Sequence, residues 1–394
     1  MKKLLSRLPQ LVRGLVLAAF LLFSRPAPGA PPGFIIDHSP AASGRYIGSP
    51  SIVVLTNGDY LASHDLFGPK SVEFDCPTTV LFRSADRGAS WRNVAHLECL
   101  FWANLFVHHG AAYLMGTDKH HGRIVIRKSI DSGNTWTEPK DTNTGLLTTQ
   151  GEYHTAPVPV IEHHGRLWRA FEDASAGNEW GKRYRPFVLS VPADADLVRA
   201  TNWTFSQKLA RDPKWLNGQF NAWLEGNAVV TRDGRVLDIL RVDIAGYPEK
   251  AALVDVSSDG KTASFDPEAG FVDFPGGSKK FTIRYDAKRD CYWALSNIVP
   301  ASDRGAVPPA KIRNRLALTT SPDLRHWEIR SVLLEHADTA NHGFQYADWQ
   351  FDGDDIIAAV RTAYDDEQGG AHNFHDANFL TFHRVRNFRQ LKAP

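Results

Sequence analysis

The chain has few of the features that define several common protein classes. It contains only three cysteines in 394 residues, which is too few for a disulfide-based scaffold. After the first thirty residues, no apolar run approaches the roughly 20 residues that a membrane span requires. There is also no run of basic residues, and a nucleic-acid-binding surface needs one. We therefore expect a soluble protein that binds no nucleic acid and has no membrane span once its N-terminus is removed.

The N-terminus is typical of a secretory signal peptide. A basic stretch is followed by a short apolar run over residues 15–23 and by small residues at 27–29. We expect residues 1–29 to be removed and residues 30–394 to form a single domain, exported to the periplasm or the extracellular space. An uncleaved signal anchor is the alternative. Cleavage removes five basic and no acidic residues, so the 45 Lys and Arg residues fall to 40, against 44 Asp and Glu residues.

Two of the cysteines can pair in an oxidising compartment. Cys76 and Cys99 flank one predicted β-unit, and a disulfide between them is compatible with export. Cys291 lies in an apolar run, which indicates a buried thiol.

One β-unit recurs six times along the chain. Each copy is a strand, a tight polar turn and a second strand, and no long amphipathic helix interrupts the series. Gly, Asn and Asp at the turns supply the positive φ that such hairpins need. The turns centre near Gly58, Gly110, Gly165, Gly234, Asp290 and Gly353, so they are 52 to 69 residues apart.

Several units continue into a second recurring turn with a tryptophan. Residues 84–91 and 129–136 fit the pattern Ser-x-Asp-x-Gly-x-x-Trp, and residues 321–327 and 257–262 carry degraded versions. Short Ser and Asp side chains satisfy the turn amides, Gly permits positive φ, and Trp buries a large surface. This turn is the Asp box, and from about Arg45 to His383 the sequence resembles the sialidase (Asp-box repeat) superfamily. In that family the boxes lie away from the active site.

The resemblance implies an all-β fold, a sialidase-like six-bladed β-propeller. The alternative is a five-bladed propeller, since the third unit has no recognisable Asp box. The strand at residues 34–37 can complete the last blade and so cover an otherwise open sheet edge.

In a propeller, residues that enter the first strand of each blade line one shared pocket. These positions hold aromatic, acidic and basic side chains, which suit the cleavage of a glycoside or the binding of an acidic sugar. They are Arg45, Tyr46 and Ser49, then Trp102 and Asn104, Tyr153 and His154, Glu225 and Asn227, Lys279 and Lys280, and Tyr346 and Asp348.

Four positions match the ordered catalytic pattern of sialidases. The resemblance implies a nucleophile at Tyr346, its base at Glu225, and carboxylate-binding arginines at Arg241 and Arg313. Arg315 is the alternative to Arg313 if the register shifts by two residues. A phenol has a pKa of about 10 and needs such a base, and a neutral nucleophile suits an anomeric carbon that bears a carboxylate.

The acid/base residue has two candidates. The family carries an aspartate after the first hairpin of blade one, and both Asp65 and Asp75 lie in that stretch. Asp75 better fits the distance to the next strand, whereas Asp65 lies nearer the channel end of its own strand.

The chain departs from the family pattern at one position. Where sialidases begin blade one with Tyr-Arg-Ile-Pro, this sequence has Gly48 in place of the arginine. Arg45, Lys279 or Lys280 could compensate for the missing charge. Without compensation, the substrate is a uronic acid or another acidic sugar rather than sialic acid.

The sixteen histidines do not indicate a metal site, since their pairs fall largely at turns and lack the spacing of metal ligands. His154 and Trp102 are kept as candidate substrate contacts, and no cofactor is implied. We expect a monomeric exo-acting glycosidase of sialidase type acting on an acidic glycan. The alternatives are a polysaccharide lyase, a glycosidase of other specificity, a non-catalytic carbohydrate-binding propeller and a structural extracellular propeller.

Overall fold

The computed structural model describes residues 29–244, 246–305 and 307–392. The predicted signal peptide, apart from Gly29, lies outside the described residues. The described chain forms six antiparallel sheets in succession, and its helices are short 3-10 turns. The prediction of an all-β, six-bladed propeller is therefore confirmed, and the five-bladed alternative is wrong.

The strands follow the chain from blade to blade. Strand β1 (Phe34–His38) comes first and belongs to the last blade. Blade 1 contains β2 (Tyr46–Ile47), β3 (Ser51–Val54), β4 (Tyr60–Phe67), β5 (Thr78–Ser84) and β6 (Arg92–Glu98). Blade 2 contains β7 (Phe101–His108), β8 (Ala111–Thr117) and β9 (Ile124–Ser129). Blade 3 contains β10 (Tyr153–His154), β11 (Ile161–His163), β12 (Arg166–Asp173), β13 (Arg185–Pro192) and β14 (Thr204–Phe205).

The second half of the ring is built in the same way. Blade 4 contains β15 (Phe220–Val230), β16 (Val236–Ile244), β17 (Lys250–Val256), β18 (Ala263–Ser264) and β19 (Phe271–Asp273). Blade 5 contains β20 (Thr282–Asp286), β21 (Cys291–Asn297), β22 (Arg315–Ser321) and β23 (Glu328–Glu335). Blade 6 contains β24 (Gly343–Asp352), β25 (Asp355–Ala363) and β26 (Phe379–Val385). The 3-10 turns are Ala41–Ser43, Ala200–Asn202, Trp215–Gly218, Ala301–Asp303, Pro309–Lys311 and Phe388–Gln390.

Strand β1 closes the ring. It pairs with β26, with Phe34 opposite Phe382 and His38 opposite Phe379, so the edge of blade 6 is covered by the start of the described chain. This closure was predicted from the sequence.

The apolar core is divided among the contacts between neighbouring blades. One cluster, for example, joins Ile52 and Tyr60 of blade 1 to Ile357 and Leu380 of blade 6, and similar clusters link the other pairs. Each blade thus buries both faces against its neighbours, and the polar residues at the start of the inner strands are left to converge around the axis.

The recurring turns have the geometry expected from their residues. The six hairpin turns carry positive φ, from 49° at Asp290 to 87° at Gly58. In the first Asp box, Ser84 donates its hydroxyl to Asp86 at 2.8 Å and accepts the amide of Gly88 at 2.8 Å. The second box repeats both bonds.

A disulfide joins Cys76 to Cys99, the pairing that the sequence allows. The thiol of Cys291 is free and only half-buried, whereas the sequence indicates a buried one. Among the described residues, no helix has the length and apolar character needed to cross a membrane.

Candidate active site

The innermost strands of blades 2, 4 and 6 share one backbone irregularity. β7, β15 and β24 each contain a β-bulge, at Trp102, Glu225 and Tyr346 respectively. All three residues have left-handed backbone, with φ of 51°, 57° and 54°. Non-glycine residues in this region cost about 1–3 kcal/mol each, and bulges re-aim side chains next to functional sites. The three bulges therefore mark corresponding functional positions on alternate blades.

Tyr346 and Glu225 meet across the axis, although 121 residues separate them. The hydroxyl of Tyr346 donates to Oε1 of Glu225 at 2.6 Å. Arg241 donates from Nη1 to Oε2 of the same carboxylate at 2.9 Å. Glu225 and Arg241 are each only 2% exposed, whereas Tyr346 is half-buried. A buried ion pair thus holds the carboxylate against a phenol that remains accessible.

The charges fix the protonation of this pair. Burial raises the pKa of a carboxyl group, but Arg241, together with His154 and the Tyr346 hydrogen bond, holds the pKa of Glu225 below its ordinary value. Burial and the negative charge of Glu225 raise the pKa of the Tyr346 phenol. Glu225 is therefore an ionised base and Tyr346 a neutral phenol at neutral pH.

Two further arginines flank the Tyr346 ring. The guanidinium of Arg313 lies 5.6 Å from the ring centroid and that of Arg361 lies 5.1 Å from it. Both side chains are buried, at 6% and 4% exposure. Burial lowers the pKa of Arg313 to about 10 and also lowers that of Arg361.

Neither of these arginines forms an ion pair with a described residue. Arg313 donates to the carbonyl of Ala310 and to the side-chain oxygen of Gln345, and Arg361 donates to the carbonyl of His375. Nε of Arg361 is buried without any described partner. A buried cation is stable only when its charge is compensated, so the two unpaired guanidinium groups beside Tyr346 are suited to bind an anion.

The position predicted to lack an arginine is closed to any side chain. A Cβ atom built on Gly48 would lie 1.6 Å from Oδ1 of Asp65. That carboxylate accepts the amides of Ser49 and Trp102, each at 2.6 Å, and Asp65 is 2% exposed. Asp65 therefore ties blade 1 to blade 2 in the space that a larger residue at position 48 would need.

The other acid/base candidate lies apart from Tyr346. Asp75 is exposed, and it lines a surface cavity between the outer parts of blades 1 and 2 together with Cys99 and Trp136. No contact joins Asp75 to Glu225 or Tyr346.

The proposed substitutes for the missing arginine are occupied elsewhere. Arg45 is exposed and donates to the carbonyl of Lys70 at 3.2 Å. Lys279 is paired with Glu249. Lys280 donates to the carbonyl groups of Tyr346 and Ala347, at 3.3 and 2.8 Å, and so supports the backbone of the bulge. Arg315, the alternative to Arg313, is paired with Asp303 and Glu335.

His154 belongs to a second cluster of side chains, with Glu172, Tyr184 and Trp102, next to Glu225. Nδ1 of His154 lies 2.8 Å from Oε2 of Glu172, and the His154 ring stacks on Tyr184 with centroids 4.4 Å apart. The Trp102 ring lies edge-on to His154 at 4.5 Å. The other oxygen of Glu172 accepts the amide of Gly226, the residue after Glu225, at 3.2 Å.

Aromatic side chains form the rim of the site. Phe67 and Phe374 lie 4.4 and 6.0 Å from the guanidinium groups of Arg361 and Arg313, and both are partly exposed. Trp180 is 51% exposed, and its ring lies 5.9 Å from the guanidinium of Arg241. Half-exposed rings around buried charges are suited to stacking against the apolar faces of a sugar.

Sequence reasoning brought together Tyr346, Glu225, Arg241 and Arg313, but it missed Arg361 and Glu172. One signal for Arg361 was present. Glu225 precedes Arg241 by sixteen residues, and Tyr346 precedes Arg361 by fifteen. Applying the Glu-to-Arg spacing of blade 4 to Tyr346 of blade 6 would have indicated Arg361. Glu172 had no such signal, because its role depends on contacts with His154 and Gly226 in space.

Comparison with known proteins identifies the fold of the chain but not its reaction. No protein-family model and no curated protein sequence matches the chain. Solved structures do match. The Hadza microbial sialidase Hz136 superposes with a TM-score of 0.60 at 12% identity, over 90% of this chain and 68% of that one.

Two other structures give similar scores. An alpha-L-arabinanase from Penicillium chrysogenum, solved with arabinobiose, gives a TM-score of 0.56 at 14% identity, over 91% of this chain and 98% of that one. A sialidase from Trypanosoma rangeli gives 0.55 at 13% identity, over 88% of this chain and 56% of that one. The chain thus has the six-bladed fold that these sialidases and the arabinanase share.

Proposed function

We propose that this chain is an exported, monomeric, single-domain glycoside hydrolase that releases a terminal sugar bearing a carboxylate. Tyr346 is its nucleophile and Glu225 the base that activates it. The observation that carries the proposal is the 2.6 Å hydrogen bond from the Tyr346 hydroxyl to Glu225, next to two buried arginines that form no ion pair with a described residue. The solved structures with this fold that are named as sialidases and as an arabinanase support sugar cleavage.

The geometry supports a two-step reaction with retention of configuration. In the first step the Tyr346 oxygen bonds to the anomeric carbon while its proton passes to Glu225, and the bond to the leaving-group oxygen breaks. In the second step water attacks the anomeric carbon, the bond to Tyr346 breaks, and the phenolate recovers its proton from Glu225. A tyrosine in this role is the known exception among retaining glycosidases.

The substrate carboxylate is assigned to the arginines that flank the phenol. Arg313 and Arg361 supply charge and free donors, and Arg241 keeps Glu225 ionised. A neutral nucleophile avoids the repulsion that an anionic Asp or Glu would meet at such a carbon. Sialic acid and uronic acids both carry the required group, and we place a sialic acid first because its carboxylate lies on the anomeric carbon itself.

The test is a panel of nitrophenyl glycosides and acidic polysaccharides, assayed with the wild type and with Tyr346→Phe and Glu225→Gln. We expect release of an acidic sugar by the wild type and a loss of more than about a hundredfold in kcat for each variant, since nucleophile and base each carry much of the rate. An ultraviolet-absorbing unsaturated product would instead indicate a lyase. Binding without turnover on any substrate would indicate a carbohydrate-binding propeller, and equal cleavage by wild type and Tyr346→Phe would refute the nucleophile.

A further inference from the structure

The proposed reaction needs a proton donor for the leaving group, and neither aspartate near blade 1 is well placed to act as one. Both oxygens of Asp65 are engaged by backbone amides within a buried contact between blades 1 and 2. Asp75 is exposed in the cavity between blades 1 and 2 and contacts neither Glu225 nor Tyr346. The remaining candidates for this donor are the groups that surround Glu225 itself.

His154 has the environment that such a donor requires. It is 5% exposed, its Nδ1 is bound to Glu172 at 2.8 Å, and its Nε2 has no partner among the described residues. The ring is held between Tyr184, stacked at 4.4 Å, and Trp102, edge-on at 4.5 Å. One ring nitrogen is thus anchored, the ring orientation is fixed, and the other nitrogen is available to a bound molecule.

Glu172 is itself fixed relative to the proposed nucleophile pair. Its second oxygen accepts the amide of Gly226, which follows Glu225 in β15. His154 and Glu225 are near enough for each to shift the pKa of the other. The His154–Glu172 pair is therefore connected to the Glu225 bulge by a direct hydrogen bond.

We propose that His154 is the general acid that protonates the leaving-group oxygen, and that Glu172 is a positioning residue that holds and recharges the imidazole. The inference rests on the proposed function. As the glycosidic bond breaks, its electron pair moves to the leaving oxygen, which takes the proton from Nε2 of His154. Nδ1 then carries the remaining proton, hydrogen-bonded to an ionised Glu172. In the second step Nε2 accepts a proton from the attacking water, which restores the pair.

Burial lowers the pKa of His154 to about 3, so Glu172 is the preferred carrier of the proton that the two groups share. Burial and the nearby Glu225 raise the pKa of Glu172 to about 8, so the pair retains its extra proton at neutral pH. Whether that proton sits on Glu172 or on Nδ1, Nε2 carries a hydrogen, because the imidazole has one proton in the first case and two in the second. The charged or titratable groups that face His154 besides Glu172 are Tyr184, Glu225, Arg241, Arg183, His120 and His121.

Leaving-group chemistry separates an acid from a nucleophile. A nitrophenolate departs without protonation, whereas a methoxide does not. The experiment uses the nitrophenyl and methyl glycosides of the sugar released in the panel, with His154→Gln, Glu172→Gln, Tyr346→Phe and, as a matched control, His164→Gln. His164 is an exposed turn residue of the same blade.

We expect His154→Gln and Glu172→Gln to lower kcat/KM about a hundredfold or more for the methyl glycoside and less than about tenfold for the nitrophenyl glycoside. Tyr346→Phe should lose activity on both glycosides, and His164→Gln should retain activity on both. Equal losses on the two substrates in His154→Gln, with an unchanged melting temperature, would overturn the assignment, as would a leaving-group-dependent loss seen only in Asp65→Asn or Asp75→Asn.

A second measurement is independent of turnover. Nitrogen NMR of the imidazoles should show that the wild-type pair keeps its extra proton through neutral pH and loses it as the pH rises through about 8. In Glu172→Gln this titration of the extra proton should disappear. An ordinary histidine titration for His154 in the wild type would refute the pair even if no glycoside is cleaved, whereas failure of the glycoside panel alone refutes only the proposed function.

Discussion

Arg241 and Arg361 occupy the same structural position in blades 4 and 6. Arg241 pairs with Leu224, the residue before the Glu225 bulge, and Arg361 pairs with Gln345, the residue before the Tyr346 bulge. The same position in two blades therefore delivers one buried arginine to Glu225 and another to the ring of Tyr346. Because the first is neutralised by Glu225 and the second forms no ion pair with a described residue, their roles differ.

Replacement of the unpaired arginine should weaken substrate binding. In Arg361→Gln we expect KM for the carboxylated sugar to rise about tenfold to over a hundredfold, since a hydrogen bond to a charged group contributes about 1.5–3 kcal/mol. The increase should shrink when the substrate carboxylate is converted to an amide. Arg289→Gln, at an exposed turn, is the matched control. An unchanged KM in Arg361→Gln would remove Arg361 from the binding site.

Gly48 should not tolerate even one added carbon. Its Cβ would overlap Oδ1 of Asp65, so Gly48→Ala has to displace a carboxylate that holds the amides of Ser49 and Trp102. We expect a loss of about 1–3 kcal/mol in the free energy of unfolding, measured by denaturant titration. Gly246→Ala, where the nearest atom beyond its chain neighbours is 3.6 Å away, should change little. Equal effects of the two substitutions would contradict the steric explanation.

The pH profile should report the ionisation of Glu225. Its pKa lies below the ordinary value because of Arg241, so the ionised base persists in acid and kcat/KM should fall only at pH values below the ordinary titration range of a glutamate. Arg241→Met removes the cation that lowers the pKa, so the acidic limb should move to higher pH. A limb that stays in place in Arg241→Met would assign it to another group. Arg289→Gln again serves as the control.

The disulfide should matter for stability rather than for catalysis. It closes a loop of 23 residues between Cys76 and Cys99, and the joint variant Cys76→Ser/Cys99→Ser should lose about 2–4 kcal/mol of unfolding free energy. Its kcat on the nitrophenyl substrate should be unchanged at a temperature well below unfolding. A wild type whose melting temperature is insensitive to dithiothreitol would show that the bond is not formed in solution.

The sequence predicts the ring more fully than it predicts the site. The blade count follows from local signals, because turn residues such as Gly58 and Asp290 and the Asp-box serines act within a few neighbours. Tyr346 and Glu225 were identifiable because each opens a repeat. Asp65 could not be placed, since its environment comes from Gly48 and the amide of Trp102, which meet it only in three dimensions.

Closure of the ring by β1 yields a test within a single strand. Ile36 is 7% exposed and packs with Ile357 and Leu380 of blade 6 and Ile52 of blade 1, whereas its neighbour Ile35 is 47% exposed. If β1 stabilises the ring by filling this contact, Ile36→Ala should lower the free energy of unfolding by about 2–5 kcal/mol, as buried Ile→Ala changes do, while Ile35→Ala should change it by under about 0.5 kcal/mol. Both variants remove the same atoms from the same strand, so β propensity cancels and only burial differs. Because the ring closes between the two ends of the described chain, the loss should appear in one cooperative transition monitored by tryptophan fluorescence. Equal losses in the two variants would mean that β1 contributes through its backbone pairing alone.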